Sequence, residues 1–414
     1  MAMLPAAALP LTGRADAAQM RSTNMGLILR YLRAHGPRSR AKLAAETGLS
    51  KATVSTLVGD LTELGLVHDV GADRPGTVGR PGVMLELDGG RVCGIGVEIN
   101  VDHVSLVVAD LTGAVLIEEL HPLAAATVPV GEMLRIVAEL VSGRLEELRA
   151  DGMWVASLTV SPPGIIDYDD GTVRFAPNIG WRSVPLVGEL KRLIGPDVPY
   201  IHLENDAKLS ALAECATYES RGVRDLIFVT GDIGVGVGIV AEGQLVRGWS
   251  GFSGEVGHLP LDLENRPCNC GRTGCWELCI GLNELLRLAG SDNDEINDPE
   301  RPLEDRLTMI RERADAGDER TRAALATITS NLARGLGILV DVLNPKVIVL
   351  GGYFTSMAPH ILPSLATALA ARRMDEGSAV ELAASRLGIS SAAYGGAIVA
   401  LEGVFADPTL VPAT

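Results

Sequence analysis

Between residues 24 and 64 the apolar positions recur three times with the spacing of a helix that buries one face. Residues 24–35 put Leu27, Ile28, Tyr31 and Leu32 on one side and stop before Gly36-Pro37. Residues 39–47 open at a capping serine and close at Gly48. Ser50 then caps 51–64, which turns Val54, Leu57, Leu61 and Leu64 inward and ends at Gly65. The second and third helices, joined by Gly48-Leu49-Ser50, predict a helix-turn-helix. Lys51, Thr53, Ser55 and Thr56, outward near the start of the third helix, would then reach bases or phosphates in a major groove.

Period-two alternation follows. Residues 66–70 and 83–87 read as strands around a Gly/Pro-rich tip at 71–82, a hairpin wing directly after the third helix. Arg80, followed by Pro81, would hold its guanidinium on extended backbone, a shape suited to a narrow A·T-rich minor groove. The body opens with strands at 92–97, 104–109 and 115–118, a helix at 129–149 and a buried strand at 154–160. A similar order recurs at 226–230, 236–241 and 244–246, followed by a helix at 320–343 and a strand at 347–350 before Gly351-Gly352. Two related α/β lobes around a cleft are the expected architecture.

Charge sharpens this division. The net charge is −16, yet the first 90 residues carry ten Lys/Arg against eight Asp/Glu, and the rest carries 26 against 44. A small basic head on an acidic body predicts local DNA contact and excludes a protein that coats nucleic acid over its whole surface. No unbroken apolar run approaches the roughly 18 residues of a membrane span, so no membrane insertion is expected. Pro5 and Pro10 interrupt the Ala-rich start, no basic stretch precedes it, and no signal peptide is expected there.

Four of the six cysteines lie within twelve residues, a density that in a reducing compartment reads as a metal site. In Gly254-Glu-Val-Gly-His258 and Cys268-Asn-Cys270-Gly-Arg-Thr-Gly-Cys275-Trp-Glu277, one histidine and three thiolates can close a tetrahedral shell, which predicts one structural Zn2+ per chain. A rival ligand set replaces His258 with Cys279. Gly271 and Gly274 permit the turn that returns Cys275 beside Cys268 and Cys270.

This pattern, with the glycine-rich run 231–238, resembles the ROK family (repressors, open reading frames and kinases) in its winged-helix branch, over about residues 21–406. The resemblance implies an α/β fold: an N-terminal winged helix-turn-helix, then a two-lobed actin/hexokinase-like (ribonuclease H-like) domain with sugar in the cleft and zinc beside it. It implies a disordered tail at 1–20, the head at 21–90, lobe I at 91–207 with a C-terminal helix 391–406, and lobe II at 208–390 with the zinc site. It also implies that Asn205, Asp206, Glu255, His258 and Glu277 contact sugar hydroxyls, with Gly164 and Asn178 in bordering loops. Asp206 matches the general base of family kinases. The chemistry agrees, since carboxylates and amides can each span adjacent hydroxyls, and a metal-bound His258 would have its tautomer fixed.

Family kinases carry an Asp-x-Gly-Gly-Thr turn after the first strand. Here the stretch is Glu98-Ile99-Asn100-Val101-Asp102, without the glycines and with a carboxylate where phosphate would lie. The expectation is therefore a cytoplasmic, sugar- or sugar-phosphate-responsive regulator of carbohydrate genes, usually a repressor in this branch, and not an enzyme. Its partners would be operator DNA and a second copy, as a homodimer or homotetramer. The alternative is an ATP-dependent hexose kinase with an accessory DNA-binding domain.

Overall fold

The computed structural model describes residues 17–72, 83–123, 125–196, 199–299, 301–372 and 379–413. Arg80 and the wing tip from 73 to 82 lie outside the described residues.

The head forms as its capping signals predict. Ser39 accepts from the Lys42 amide and Ser50 from the Thr53 amide, opening Arg40–Thr47 and Lys51–Glu63, and Gly48 closes the former in the left-handed conformation. The wing strands Val67–Ala72 and Val83–Leu87 pair antiparallel, and Arg38–Ser39 adds a short third strand. The first helix runs Ala17–His35 rather than from Asn24, so the expected tail at 1–20 is corrected from residue 17 onward. Ala17, Gln19 and Met20 are good helix formers, and the Ser22 hydroxyl anchors this turn on Asp407 at 2.5 Å.

The body contains the anticipated duplication. Each lobe has a five-stranded sheet in which a three-stranded antiparallel meander is extended by two parallel strands. In lobe I, Val92–Ile99, His103–Asp110 and Val115–Pro122 form the meander; Trp154–Ser161 and then Tyr200–Leu203 add beside the first strand. In lobe II, Leu226–Gly231, Val235–Ala241 and Gln244–Leu245 are extended by Val347–Gly352 and Glu381–Ala384. A small sheet, Ile165–Asp167, Thr172–Ala176 and Trp181–Val184, has no counterpart in the sequence reading.

Two helices tie these parts together. Asp206–Thr217 crosses the expected boundary at 207/208, because it packs on lobe II strands Leu226–Gly231 and Val235–Ala241 and also on the C-terminal helix. That C-terminal helix, Ser391–Ala406, lies over Val92–Ile99 so closely that a Cβ on Gly96 would sit 1.9 Å from the Ala393 carbonyl oxygen. Its far end enters the core of the head: Leu401, Val404 and Phe405 pack with Met25, Ile28 and Leu29. The head is therefore joined to the body by packing as well as by chain.

Glu319–Leu343 and Gly388–Ala406 are long and apolar enough to cross a bilayer by length and composition, but 56% and 72% of their most apolar windows are buried inside the protein. They serve as core helices here.

Gly96→Ala forces the helix and strand apart. It should lower stability by about 1–3 kcal/mol or more, as overpacked sites do, read as a lower midpoint in urea unfolding. An unchanged midpoint would contradict this packing.

Candidate functional site

The cleft between the lobes, about 160 Å³, is lined by Gly164, Asn178, Asn205, Asp206, Glu255, His258 and Glu277. All seven predicted sugar contacts therefore reach one cavity, from five separate stretches of chain. Local glycines make this possible. A Cβ on Gly254 would lie 2.3 Å from the Val237 carbonyl oxygen, and one on Gly257 2.4 Å from that of Val235. Only glycines at these positions let the turn Glu255–His258 press against Val235–Ala241 and present both side chains inward.

Asn205 caps Asp206–Thr217 by accepting from the Lys208 amide, while its Nδ2 donates to the Gly164 carbonyl at 3.2 Å. Behind it, Glu204, fully buried, accepts from the Asn205 amide, from the Tyr168 hydroxyl and, on its other oxygen, from Arg247 Nε at 2.8 Å. Lys208 donates to Tyr168 and to the Gly251 carbonyl. This network holds the Asn205-Asp206 step rigid from behind, and sequence reasoning did not find it, since its members are spread from 168 to 251.

Asp206 accepts from the Ala207 amide, and burial followed by the charge of Glu98 pushes its carboxyl up to about 7. Burial and then Asp102 raise Asp232 to about 6.

The Glu98–Asp102 stretch is bonded to itself and to His103. Asn100 Nδ2 donates to Glu98 at 2.8 Å, the Val101 amide donates to Asn100 Oδ1 at 2.6 Å, and the Asn100 amide bonds the His103 carbonyl. Asp102 pairs with His103 at 2.7 Å.

His258, Cys268, Cys270 and Cys275 bring one donor atom each to within 4.8 Å of one another, a cluster able to hold a metal ion. Cys270 and Cys275 sulfurs are 3.7 Å apart, and Cys268 Sγ is 3.8 Å from His258 Nδ1. A tetrahedron with metal–sulfur bonds of about 2.3 Å has edges of about 3.8 Å, so the donor set fits such an ion. The other ring nitrogen, Nε2, lies 3.9 Å from Glu255. Cys279 is turned to Asp262 at 3.6 Å and Arg266, away from the cluster, which removes it from the rival ligand set. Arg272, which the sequence reading left out, lines the cleft and donates to Cys270 Sγ at 3.5 Å.

On the head, Lys51, Ser55 and Thr56 are exposed along one side of Lys51–Glu63, whereas the Thr53 hydroxyl bonds Ser50 at 2.8 Å and belongs to the cap as well as to the surface.

The fold and the cleft define a two-lobed actin/hexokinase-like body beneath a winged helix-turn-helix head. A ROK family model matches residues 94–402 and a MarR family model matches residues 26–74. The chain belongs to the ROK family. It is 28% identical over 389 residues to the xylose repressor of Bacillus spizizenii, covering 94% of this chain and 97% of that one. It is 26% identical over 349 residues to the DNA-binding transcriptional dual regulator NagC of Escherichia coli, covering 84% of each. A solved ROK family transcriptional regulator, a homolog of the E. coli MLC protein, shares the fold over 94% of this chain and 97% of its own, with a TM-score of 0.75 at 22% identity. A ROK family glucokinase from Streptomyces griseus, solved with glucose and AMPPNP, aligns over 74% of this chain and 98% of its own with a TM-score of 0.62 at 25% identity.

The raised carboxyl of Asp206 sets a pH dependence. The folded form keeps a proton between about pH 4 and 7 that the unfolded chain, with an aspartate pKa of about 3.9, has already lost. Stability from this group therefore falls as pH rises through that window. Asp206→Asn should raise the melting temperature by a few degrees at pH 8 and by less at pH 5; an equal shift at both, or a loss at pH 8, would contradict the assignment.

Proposed function

We propose that this chain is a sugar-responsive DNA-binding transcriptional regulator, a repressor of carbohydrate uptake or catabolism genes, whose kinase-like body binds its effector without phosphorylating it. The observation that carries the reading is the cleft: acids and amides converge on one cavity, while two amides of the turn after the first strand, those of Asn100 and Val101, are already bonded to the His103 carbonyl and the Asn100 side chain. The relatives named as a xylose repressor and a transcriptional regulator support the same reading.

Gly164, Asn178, Asn205, Asp206, Glu255, His258 and Glu277 would hold the sugar, with Asp206 as a hydrogen-bond acceptor. His258, Cys268, Cys270 and Cys275 would hold a structural zinc. When bound, that ion would lock the imidazole tautomer and so direct the Nε2 hydrogen toward the cleft. Lys51, Thr53, Ser55 and Thr56 would contact operator DNA, and Arg80 would enter the minor groove. Six unpaired cysteines suit a reducing cytoplasm.

Coupling between sugar and DNA has a physical carrier. Asn205 and Asp206 begin the helix Asp206–Thr217, whose Ser210 bonds Ser391 at 2.9 Å and whose Leu209 carbonyl lies against Gly395. The same C-terminal helix ends on the head, where Arg33 pairs with Glu402 at 2.7 Å and lies over the Phe405 ring. Movement of the sugar-side helix would thus tilt the head, and in a homodimer would change the spacing of two heads on paired half-sites.

The alternative, a hexose kinase, draws on the position and raised carboxyl of Asp206. One experiment separates the two: bind the full-length protein to fragments selected from its own genome and add a panel of free sugars. We expect one sugar to weaken DNA binding at least fivefold, with no sugar-dependent ATP turnover; turnover of ATP with any of these sugars would contradict the regulator reading. Metal analysis should give one zinc per chain, and chelation should lower the melting temperature by several degrees and abolish the sugar response. Folded, metal-free protein with a full response would remove zinc from the account.

A further inference from the structure

We propose that the effector is an uncharged, unphosphorylated sugar, and that Asp232 is the residue by which the cleft rejects phosphate esters. This rests on the sugar-effector reading and sharpens it, since the fold alone suits a free sugar and its phosphate equally.

The lining carries four carboxylates, Asp206, Asp232, Glu255 and Glu277, and Glu98 lies buried behind Asn100. Against them the lining offers one guanidinium, Arg272, whose Nε is already donated to Cys270 Sγ, and the imidazole of His258, whose Nδ1 faces Cys268. The nearby ammonium of Lys208 is not part of the lining and is engaged by Tyr168 and Gly251. A phosphate monoester carries close to two negative charges at neutral pH and is held by several charge-assisted donors. No such set converges here.

The position of Asp232 is more telling than the count. Its carboxylate accepts from the Thr230 hydroxyl at 3.2 Å and overhangs Gly352, where a Cβ would lie 2.8 Å from its Oδ1. Gly352 leads into Tyr353–Ala370, an 18-residue helix whose positive end would attract an anion. The protein has put its own carboxylate there. A phosphate on the hydroxyl facing Asp206 would enter the space between Asp206 and Asp232, with Asp102 beyond. Asp206 and Asp232 are raised first by burial and then by neighbouring acids, Glu98 and Asp102 foremost, so the site already opposes single negative charges.

The test uses the full-length protein in isothermal titration calorimetry with glucose, N-acetylglucosamine and xylose, each beside its terminal monophosphate (the 6-phosphate of the hexoses, the 5-phosphate of xylose). For the sugar that binds, its phosphate should bind at least tenfold more weakly. That ratio should shrink severalfold in Asp232→Asn, and also in the unmodified protein when salt is raised from about 50 to 500 mM, since screening weakens the repulsion. The salt series needs no variant and decides the matter if Asp232→Asn does not fold. A phosphate that binds as tightly as its parent sugar overturns the charge argument and leaves sugar recognition intact. A ratio unmoved by both salt and substitution removes Asp232 as its cause. Failure of every sugar and every phosphate to bind overturns the sugar reading itself, and this inference with it.

Discussion

The structure depends on one close contact, the C-terminal helix Ser391–Ala406 laid directly on glycines. Gly94 and Gly96 let it approach the first strand of lobe I to distances that no side chain would permit, and Gly395 does the same against Leu209 of the helix Asp206–Thr217. One helix is thereby part of three packings: the lobe I sheet, the helix that begins at Asn205 and Asp206, and the hydrophobic core of the head. Interiors packed at this density transmit displacement and do not absorb it. On the proposed reading, this would give a change at the cleft a route to the head.

The cleft itself follows from opposing demands. A sugar needs fixed carboxylates and amides, and fixed groups need support behind them. Glu204, Tyr168, Arg247 and Lys208 provide it on one side, and the Cys/His cluster with its tight glycine turns provides it on the other. Burial, and after it the charge of neighbouring acids, raises the carboxyls of Asp206 and Asp232, a cost in folded stability that function accounts for. On the proposed reading the same acids would make the cavity inhospitable to phosphate, and one electrostatic origin would serve both the absence of phosphoryl transfer and the binding of a free sugar.

Much of this was legible in the sequence where the signal is local. Ser39, Gly48 and Ser50 marked the head helices because caps and left-handed glycines act within one turn. The metal cluster was legible because its cysteines are close in sequence and glycines at 271 and 274 permit the fold-back. The small sheet from Ile165 to Val184 was missed because its strands are short and turn-rich. Docking of head on body was also illegible: Gly26 meets Phe405, and Arg33 meets Glu402, across nearly the whole chain. The C-terminal helix, apolar on every side, carries no stripe to announce that it has two partners. The boundary expected at 207/208 falls inside Asp206–Thr217, a helix that packs on lobe II strands and on the C-terminal helix.

The most direct test of the central claim is a thermodynamic cycle: sugar affinity measured with and without saturating operator DNA, and DNA affinity with and without saturating sugar. A mechanical link through the C-terminal helix predicts one common factor in both directions, reduced toward unity when the Arg33–Glu402 contact is removed by Glu402→Ala. Sugar affinity identical with and without DNA would contradict the link outright.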